Sequence, residues 1–336
     1  MRKGIGMLIM ILLVTSCYRD VVFEVPGGEE GLLVNAQMSA ADEVHSIFVG
    51  RSTASRVYPL HSAVVTCSVN GGEAIRAEEV MVGGRRQVEY RFGAALNPGD
   101  IIAVEVSDDD ERTAGAEVSV PELTGEIVSI DTSSSGGKFF LSVKIRDNGK
   151  GRNYYMLTLD THYKATLKDI DPVTGKIFDF VVEGDNKCLK LKNVEDPILN
   201  GGHAGGFGED DIIGSGVENV NCAFTNLHFP GGEATVEVYV DSTSLYEDDI
   251  YEYYIKGIKD NTAIVSLHSI SKQEYDYLWT LNTFEDSGFH MSSMMEPAAI
   301  VMNVNGGYGF VSVSSCDSKK LGLKREFLTH ISESSL

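Results

Sequence analysis

Ala63-Val64-Val65-Thr66-Cys67-Ser68-Val69 carries Val65, Cys67 and Val69 at alternate positions, and Asn70-Gly71-Gly72 follows at once. A period of two puts those three side chains on one face of a strand. Asn and Gly tolerate positive φ, so the triplet reads as a tight turn into a second strand. The same grammar repeats on both sides. Apolar or alternating runs at 32–38, 45–51, 63–69, 73–78, 87–92, 101–107 and 113–120 are separated by turn residues, including Gly83-Gly84 and Asn97-Pro98-Gly99-Asp100. Seven short strands within 32–121 predict an immunoglobulin-like β-sandwich, which Pro121 ends. The Asp108-Asp109-Asp110-Glu111 run lacks the alternating ligands and turn glycine of a calcium loop, and reads as a solvated hairpin tip.

Residues 122–336 read as a second β-rich domain. Phe139, Leu141, Val143 and Ile145 alternate, 154–163 is a long aromatic strand, and Asp171-Pro172-Val173-Thr174-Gly175 turns the chain into 176–182. Further strands are predicted at 222–229, 233–240, 251–258 and 263–269, then a closing strand through Val313 and a last one at 321–327. One helix stands out, over 271–282. Ser271-Lys272-Gln273-Glu274 is a capping box, in which Ser271 accepts from the third-residue amide and Glu274 reaches back. Tyr275, Leu278, Trp279 and Asn282 then share one helical face, so the single tryptophan is expected as a core anchor. The fold class is mainly β, a sandwich followed by a β-rich domain with one packed helix.

The chain begins with a basic Arg2-Lys3 and an apolar run from Ile5 to Val14, too short for a membrane-spanning helix and right for a secretory signal. The run ends Leu12-Leu13-Val14-Thr15-Ser16-Cys17, similar to the lipobox cut by bacterial lipoprotein signal peptidase. Residues 1–16 are therefore expected as a cleaved signal, Cys17 as the lipidated residue, and 17–31, with Pro26-Gly27-Gly28, as a tether. Each buried methylene contributes about 0.8 kcal/mol, so more than one acyl chain would anchor the protein stably. The formal charge is −21, and loss of Arg2 and Lys3 takes it to −23. Nucleic acid and anionic lipid surfaces would repel such a chain; neutral, cationic or metal-bearing partners would not.

Beyond Cys17 the cysteines are Cys67, Cys188, Cys222 and Cys316, with no C-x-x-C spacing for a zinc ribbon or redox site. Cys188 and Cys222 bracket the longest glycine-rich loop. Either they form a disulfide worth about 3 to 4 kcal/mol on the loop-closure model, or all four are buried small hydrophobes. Within that loop His203 with Glu209, Asp210 and Asp211 offers nitrogen and carboxylate ligands, set against the plainer reading of a solvated loop. No His-Glu-x-x-His, Gly-x-Ser-x-Gly or phosphate-binding glycine loop occurs, so neither catalytic residues nor a cofactor are expected. Tyr154, Tyr155, Tyr163, Tyr251, Tyr253 and Tyr254 could line a surface for a small molecule, peptide or glycan, although strand alternation sends at least half of them inside.

Several of these features occur together in one family. The lipobox, the sandwich ending in Thr113-Ala114 and Val120-Pro121, the helix with Tyr275-Asp276-Tyr277-Leu278-Trp279, then Glu296-Pro297 and Asn303-Val304-Asn305-Gly306-Gly307-Tyr308-Gly309, resemble the Bacteroidetes lipoproteins called domain of unknown function forty-two forty-nine. The resemblance covers nearly the whole mature chain, and its most specific part is Glu296-Pro297 followed by Asn303, Gly306, Gly307 and Gly309. It implies a place beside a TonB-dependent receptor and supplies no catalytic residues. The expected function is accordingly a non-enzymatic, lipid-anchored outer-membrane accessory or ligand-binding protein assisting a TonB-dependent nutrient transporter, on either face of that membrane. The alternatives are a surface adhesin or structural envelope subunit and, behind them, a metal-dependent hydrolase.

Overall fold

The structure, a computed structural model, describes residues 30–53, 56–80, 87–149, 151–170, 174–186, 188–193, 196–200, 219–245, 254–286 and 300–323. The chain is mainly β. One long sheet runs through the molecule in the order Ile177–Asn186, Tyr154–Ile170, Tyr254–Ile270, Val311–Gly322, Gly31–Ser39, Val44–Ser52, Val88–Gly93 and Glu78–Val80. Two four-stranded sheets complete the fold. Ile75–Arg76, Val64–Val69, Ile101–Ser107 and Thr113–Ser119 form one; Gly125–Ser135, Lys138–Asp147, Glu233–Asp241 and Lys192–Asn193 form the other.

Strand alternation builds a core on each side of the expected 121/122 boundary. Val65, Cys67, Ile102, Val104 and Val106 meet Leu32, Val34, Ile47 and Val49 in the first; Phe139, Leu141, Val143, Ile145, Val236 and Val238 meet Leu157, Leu159, Val265 and Leu267 in the second. The boundary divides neither the sheets nor, completely, the two cores. Gly31–Ser39 pairs in parallel with Val311–Gly322, from Ala36 opposite Val311 to Ser39 opposite Ser314. Val304, Val311 and Val313 belong to the first core, so its sandwich is completed by residues from the far end of the chain.

Most predicted strands form, and three are corrected. Tyr254–Ile270 is one strand rather than two, its pairing with Tyr154–Ile170 absorbing register shifts at Lys164/Ala165 and Thr166/Leu167. Val311–Gly322 is likewise continuous. The run at 222–229 holds only a three-residue strand, Ala223–Thr225, before a 3₁₀ turn at Asn226–His228 that Thr225 caps by accepting from the Leu227 amide. Two of the turns behave as read: Asn70 and Gly71 both have positive φ (54° and 65°), and the Asp100 amide donates to the Asn97 carbonyl at 3.0 Å; Gly83-Gly84 and 171–173 lie outside the described residues.

The helix spans Lys272–Asp286 and buries Tyr275, Leu278, Trp279 and Asn282 as expected. Asn282 is buried for a polar reason. Its Oδ1 accepts from the Asn221 side chain (2.7 Å) and its Nδ2 donates to Asn219 Oδ1 (2.9 Å), pinning the 219–223 turn to the helix. Half of the capping box forms: the Glu274 amide donates to Ser271 Oγ at 3.0 Å. The other half does not, because the Glu274 carboxyl turns inward onto the sheet and accepts from Ser312 Oγ at 2.8 Å.

Candidate functional site

The glycine-rich signature lies where the strand Gly31–Ser39 meets residues 303–313. Gly307 and Tyr308 pair in parallel with Leu32 and Leu33, while Asn305 bridges Gly115 through two backbone hydrogen bonds of 2.8 and 3.0 Å. The segment therefore stitches the edge strand Thr113–Ser119 to Gly31–Ser39 and closes that side of the first sandwich. Asn303 holds it from the other side, its Nδ2 donating to the Val311 carbonyl (2.7 Å) and its Oδ1 accepting from the Val311 amide (2.8 Å). Glycine is required by space as well as by torsion. A Cβ on Gly306 (φ +74°) would sit 2.5 Å from the Thr113 carbonyl oxygen, and one on Gly307 2.6 Å from that of Leu32. At Gly309 (φ +110°) it would collide with the Val34 carbonyl. These residues work as a joint.

Beside the joint, a polar row crosses four strands. Ser314 Oγ donates to the Met38 carbonyl (3.3 Å), so it accepts from His268 Nδ1 (2.9 Å) and leaves His268 Nε2 to accept from Thr158 Oγ1 (3.0 Å). Burial pushes the His268 pKa from 6.5 down to about 4, so the imidazole is neutral. A Ser-His contact invites comparison with a hydrolytic pair. Here the third group is a threonine hydroxyl rather than a carboxylate, and the serine spends its proton on a backbone carbonyl, so nothing activates it. The row is a hydrogen-bonded stitch between strands.

Glu274 is the other buried ionisable group on this face, 2 % exposed. Burial raises its pKa from 4.5 to about 7, opposed only by the Ser312 hydrogen bond, and its Oε2 has no hydrogen-bond partner. In the C-terminal half Asp147 is the hub of a third cluster. Asn153 Nδ2 (2.7 Å), Asn226 Nδ2 (2.8 Å), the Gly231 amide (2.6 Å) and the Tyr155 hydroxyl all donate to its carboxylate. Burial alone would raise its pKa; these donors bring it below the usual carboxylate range. Oxygens saturated by N–H and O–H donors have no lone pairs aimed at a cation, so this hub locks the loops around 147–153 and 226–231 together.

The acidic run at 108–111 is the expected hairpin tip, with Asp109, Asp110 and Glu111 exposed, but Asp108 turns inward. Asp108 is 9 % exposed, accepts from the Asp110 and Arg112 amides (both 3.0 Å) and pairs with Arg51 at 2.9 Å. Asp110 bridges Arg51 and Arg112 at 3.0 and 2.8 Å. The signal was the arginines: Arg51 and Arg112 have these acids as their partners. A shallow cleft of about 350 Å³ lies beside them, lined by Glu30, Arg51, Thr53, Tyr58, Pro59 and Leu60.

Cys17, the loop residues His203, Glu209, Asp210 and Asp211, and Glu296-Pro297 lie outside the described residues. Among the described residues no group of three His, Cys, Asp or Glu side chains is placed to hold a metal ion, and no helix is long and apolar enough to cross a membrane. Of the two cysteines that bracket the long loop, Cys222 is buried in the second core with its Sγ 3.8 Å from the Asn219 carbonyl, and Cys188 sits on an exposed turn held by Asp160 through its amide (2.7 Å). Of the candidate tyrosines, Tyr155 and Tyr163 are fully buried and Tyr154 meets Tyr275 of the helix in a tilted ring contact with centroids 5.2 Å apart. Among the described residues, three exposed apolar side chains lie close together on the hairpin Tyr154–Ile170/Ile177–Asn186, where Ile177, Phe178 and Val181 are 66 %, 46 % and 52 % exposed.

Residues 18–320 match the model of a family described as a domain of unknown function (DUF4249). No curated protein matches the chain. Among solved structures, a crystal structure of a DUF4785 family protein from Legionella pneumophila is similar at 9 % identity with a TM-score of 0.23, covering 71 % of this chain and 52 % of that one. The chain thus spans about half the length of that protein.

Proposed function

The chain belongs to the DUF4249 family, and from that membership we propose that it is a lipid-anchored outer-membrane accessory or ligand-binding protein assisting a TonB-dependent nutrient transporter. Its anchor is Cys17 and its first sandwich is immunoglobulin-like. The protein works by binding rather than by catalysis. The observation that carries this reading is the contrast between interior and rim. The polar groups of the Asp147 hub and of the Thr158-His268-Ser314 row are consumed by hydrogen bonds that hold loops and strands in place. The rim of the long sheet instead offers Ile177, Phe178 and Val181 on an edge strand, and such an exposed apolar edge is a contact surface.

Tagged protein purified from native membranes should bring down a TonB-dependent receptor, and Phe178→Asp with Val181→Asp should reduce its recovery at least tenfold while leaving the fold intact. Recovery of fimbrial subunits alone would favour the adhesin. Metal bound in stoichiometric amount and lost in His203→Ala would reopen the metal-dependent alternative.

A further inference from the structure

Three contacts tie the helix Lys272–Asp286 to the segment that closes the first sandwich. Tyr277 stacks on Phe310 with ring centroids 4.2 Å apart and planes 6° from parallel. Ser312 Oγ donates to the Glu274 carboxyl at 2.8 Å. Tyr275, Leu278, Trp279 and Leu281 form one apolar cluster with Phe310, packed by Ile300 and Val301. Phe310 is also where the closing segment grips the first strand, its amide donating to Asn35 Oδ1 and its carbonyl accepting from the Ala36 amide, both at 3.0 Å. The helix thus presses on the residue that fastens 303–313 to Gly31–Ser39.

We propose that the helix Lys272–Asp286 and the strap 303–313 form a proton-gated latch, closed when Glu274 carries its proton and loosened when it does not. The geometry supplies the gate. Glu274 lies between the helix and the sheet with one oxygen on Ser312 and the other without a hydrogen-bond partner, so ionisation leaves a charge in a place where a single hydroxyl solvates it. The charged and titratable groups on the surrounding elements do not neutralise it. Lys272 is paired with Asp276 at 2.5 Å, and the charge of Arg152 is felt by Tyr275 and Lys272. Tyr154, Tyr275 and Tyr277 bear no positive charge, and His268, across the sheet beside Ser314, is held neutral. Burial and the Ser312 bond are the two influences on the carboxyl itself.

The sign follows from the two states. Closed, Glu274 titrates near 7; released into solvent it returns to about 4.5, so the closed form binds the extra proton between those values. Latch closure is therefore strongest in acid and weakens as pH rises to neutrality, changing little above it. Hydrogen exchange on the full-length protein, corrected for intrinsic rates, reads this directly. The opening constant of the Phe310 and Val311 amides should rise on the order of a hundredfold from pH 5 to pH 7.5. The Val143 and Val238 amides of the other core should stay level, and quenching of Trp279, the only tryptophan, should follow the strap. In Glu274→Gln the rise should vanish. In Ser312→Ala, where the ionised carboxyl loses its donor, the rise should continue to higher pH. A strap that opens equally at both pH values, a Gln variant that behaves as wild type, or an equal change across both cores would each overturn the latch.

Discussion

Gly309→Ala separates a glycine needed for its torsion from one needed for its emptiness. At φ +110° any other residue is strained, by about 1 to 3 kcal/mol. The new methyl would also collide with the Val34 carbonyl and come within 2.8 Å of Asn35 Oδ1. A backbone carbonyl in a paired strand has no rotamer to escape into, so the strap itself must move. The first bonds to stretch are those flanking the collision, the Phe310 amide to Asn35 Oδ1 and the Ala36 amide to the Phe310 carbonyl, each 3.0 Å. Two buried hydrogen bonds contribute about 1 kcal/mol each, giving a total loss of about 3 to 5 kcal/mol. Gly71→Ala is the control: φ is +65° but nothing lies within 4 Å of the added methyl, so only the torsional cost of about 1 kcal/mol remains. Urea denaturation of both variants, with the slope checked for two-state behaviour, gives the comparison. If Gly309→Ala costs no more than Gly71→Ala, the joint yields where it is described as rigid, and the structural reading of the signature fails.

Three other perturbations follow from the buried ionisable groups. Asp147→Asn keeps the shape but turns an amide nitrogen toward N–H donors, and should cost about 3 kcal/mol in urea denaturation; the wild-type carboxylate, held below its usual range, should contribute stability above about pH 4 that is lost on further acidification. His268 and Glu274 pull in opposite directions. The imidazole binds its proton more readily unfolded, so its stability rises by about 3 kcal/mol between pH 4 and 6.5; the carboxyl binds its proton more readily folded, so its share falls by a similar amount between 4.5 and 7. Denaturation across pH should therefore show a falling slope in His268→Gln and a rising one in Glu274→Gln, and parallel profiles would contradict the assignment. Cys67 is 1 % exposed and burial pushes its thiol up to about 12, so a thiol reagent should label it only when the first sandwich opens, and faster in Gly309→Ala than in wild type.

The strands of the first sandwich were readable because a period of two is local, and Val65 with Cys67 needs no knowledge of what covers it. What local pattern misses is partnership. Lys259-Asp260-Asn261 looks like a turn, yet Tyr254–Ile270 runs through it because Tyr154–Ile170 supplies hydrogen bonds along the whole length and bulges take up the misfit. Ser314-Ser315-Cys316-Asp317-Ser318 looks too polar for a sheet interior, yet Ser314 pairs with Ser39 and 315–318 pair with Tyr254–Ile270, and Ser314 and Asp317 find partners in His268 and the Ile127 amide. Glu274 satisfies the spacing of a capping box, and the sequence holds no sign that Ser312 competes for its carboxyl. The candidate site shows the same limit from the other side. Asn303, Gly306, Gly307 and Gly309 stood out as a motif, and a glycine run near the end of a chain reads equally as a ligand loop or a tight turn. Only the parallel pairing of residues nearly three hundred positions apart makes them a joint. A joint of this kind means that residues 32–121 lack the strand that closes their sandwich, so the two halves of the chain should fold and fail together.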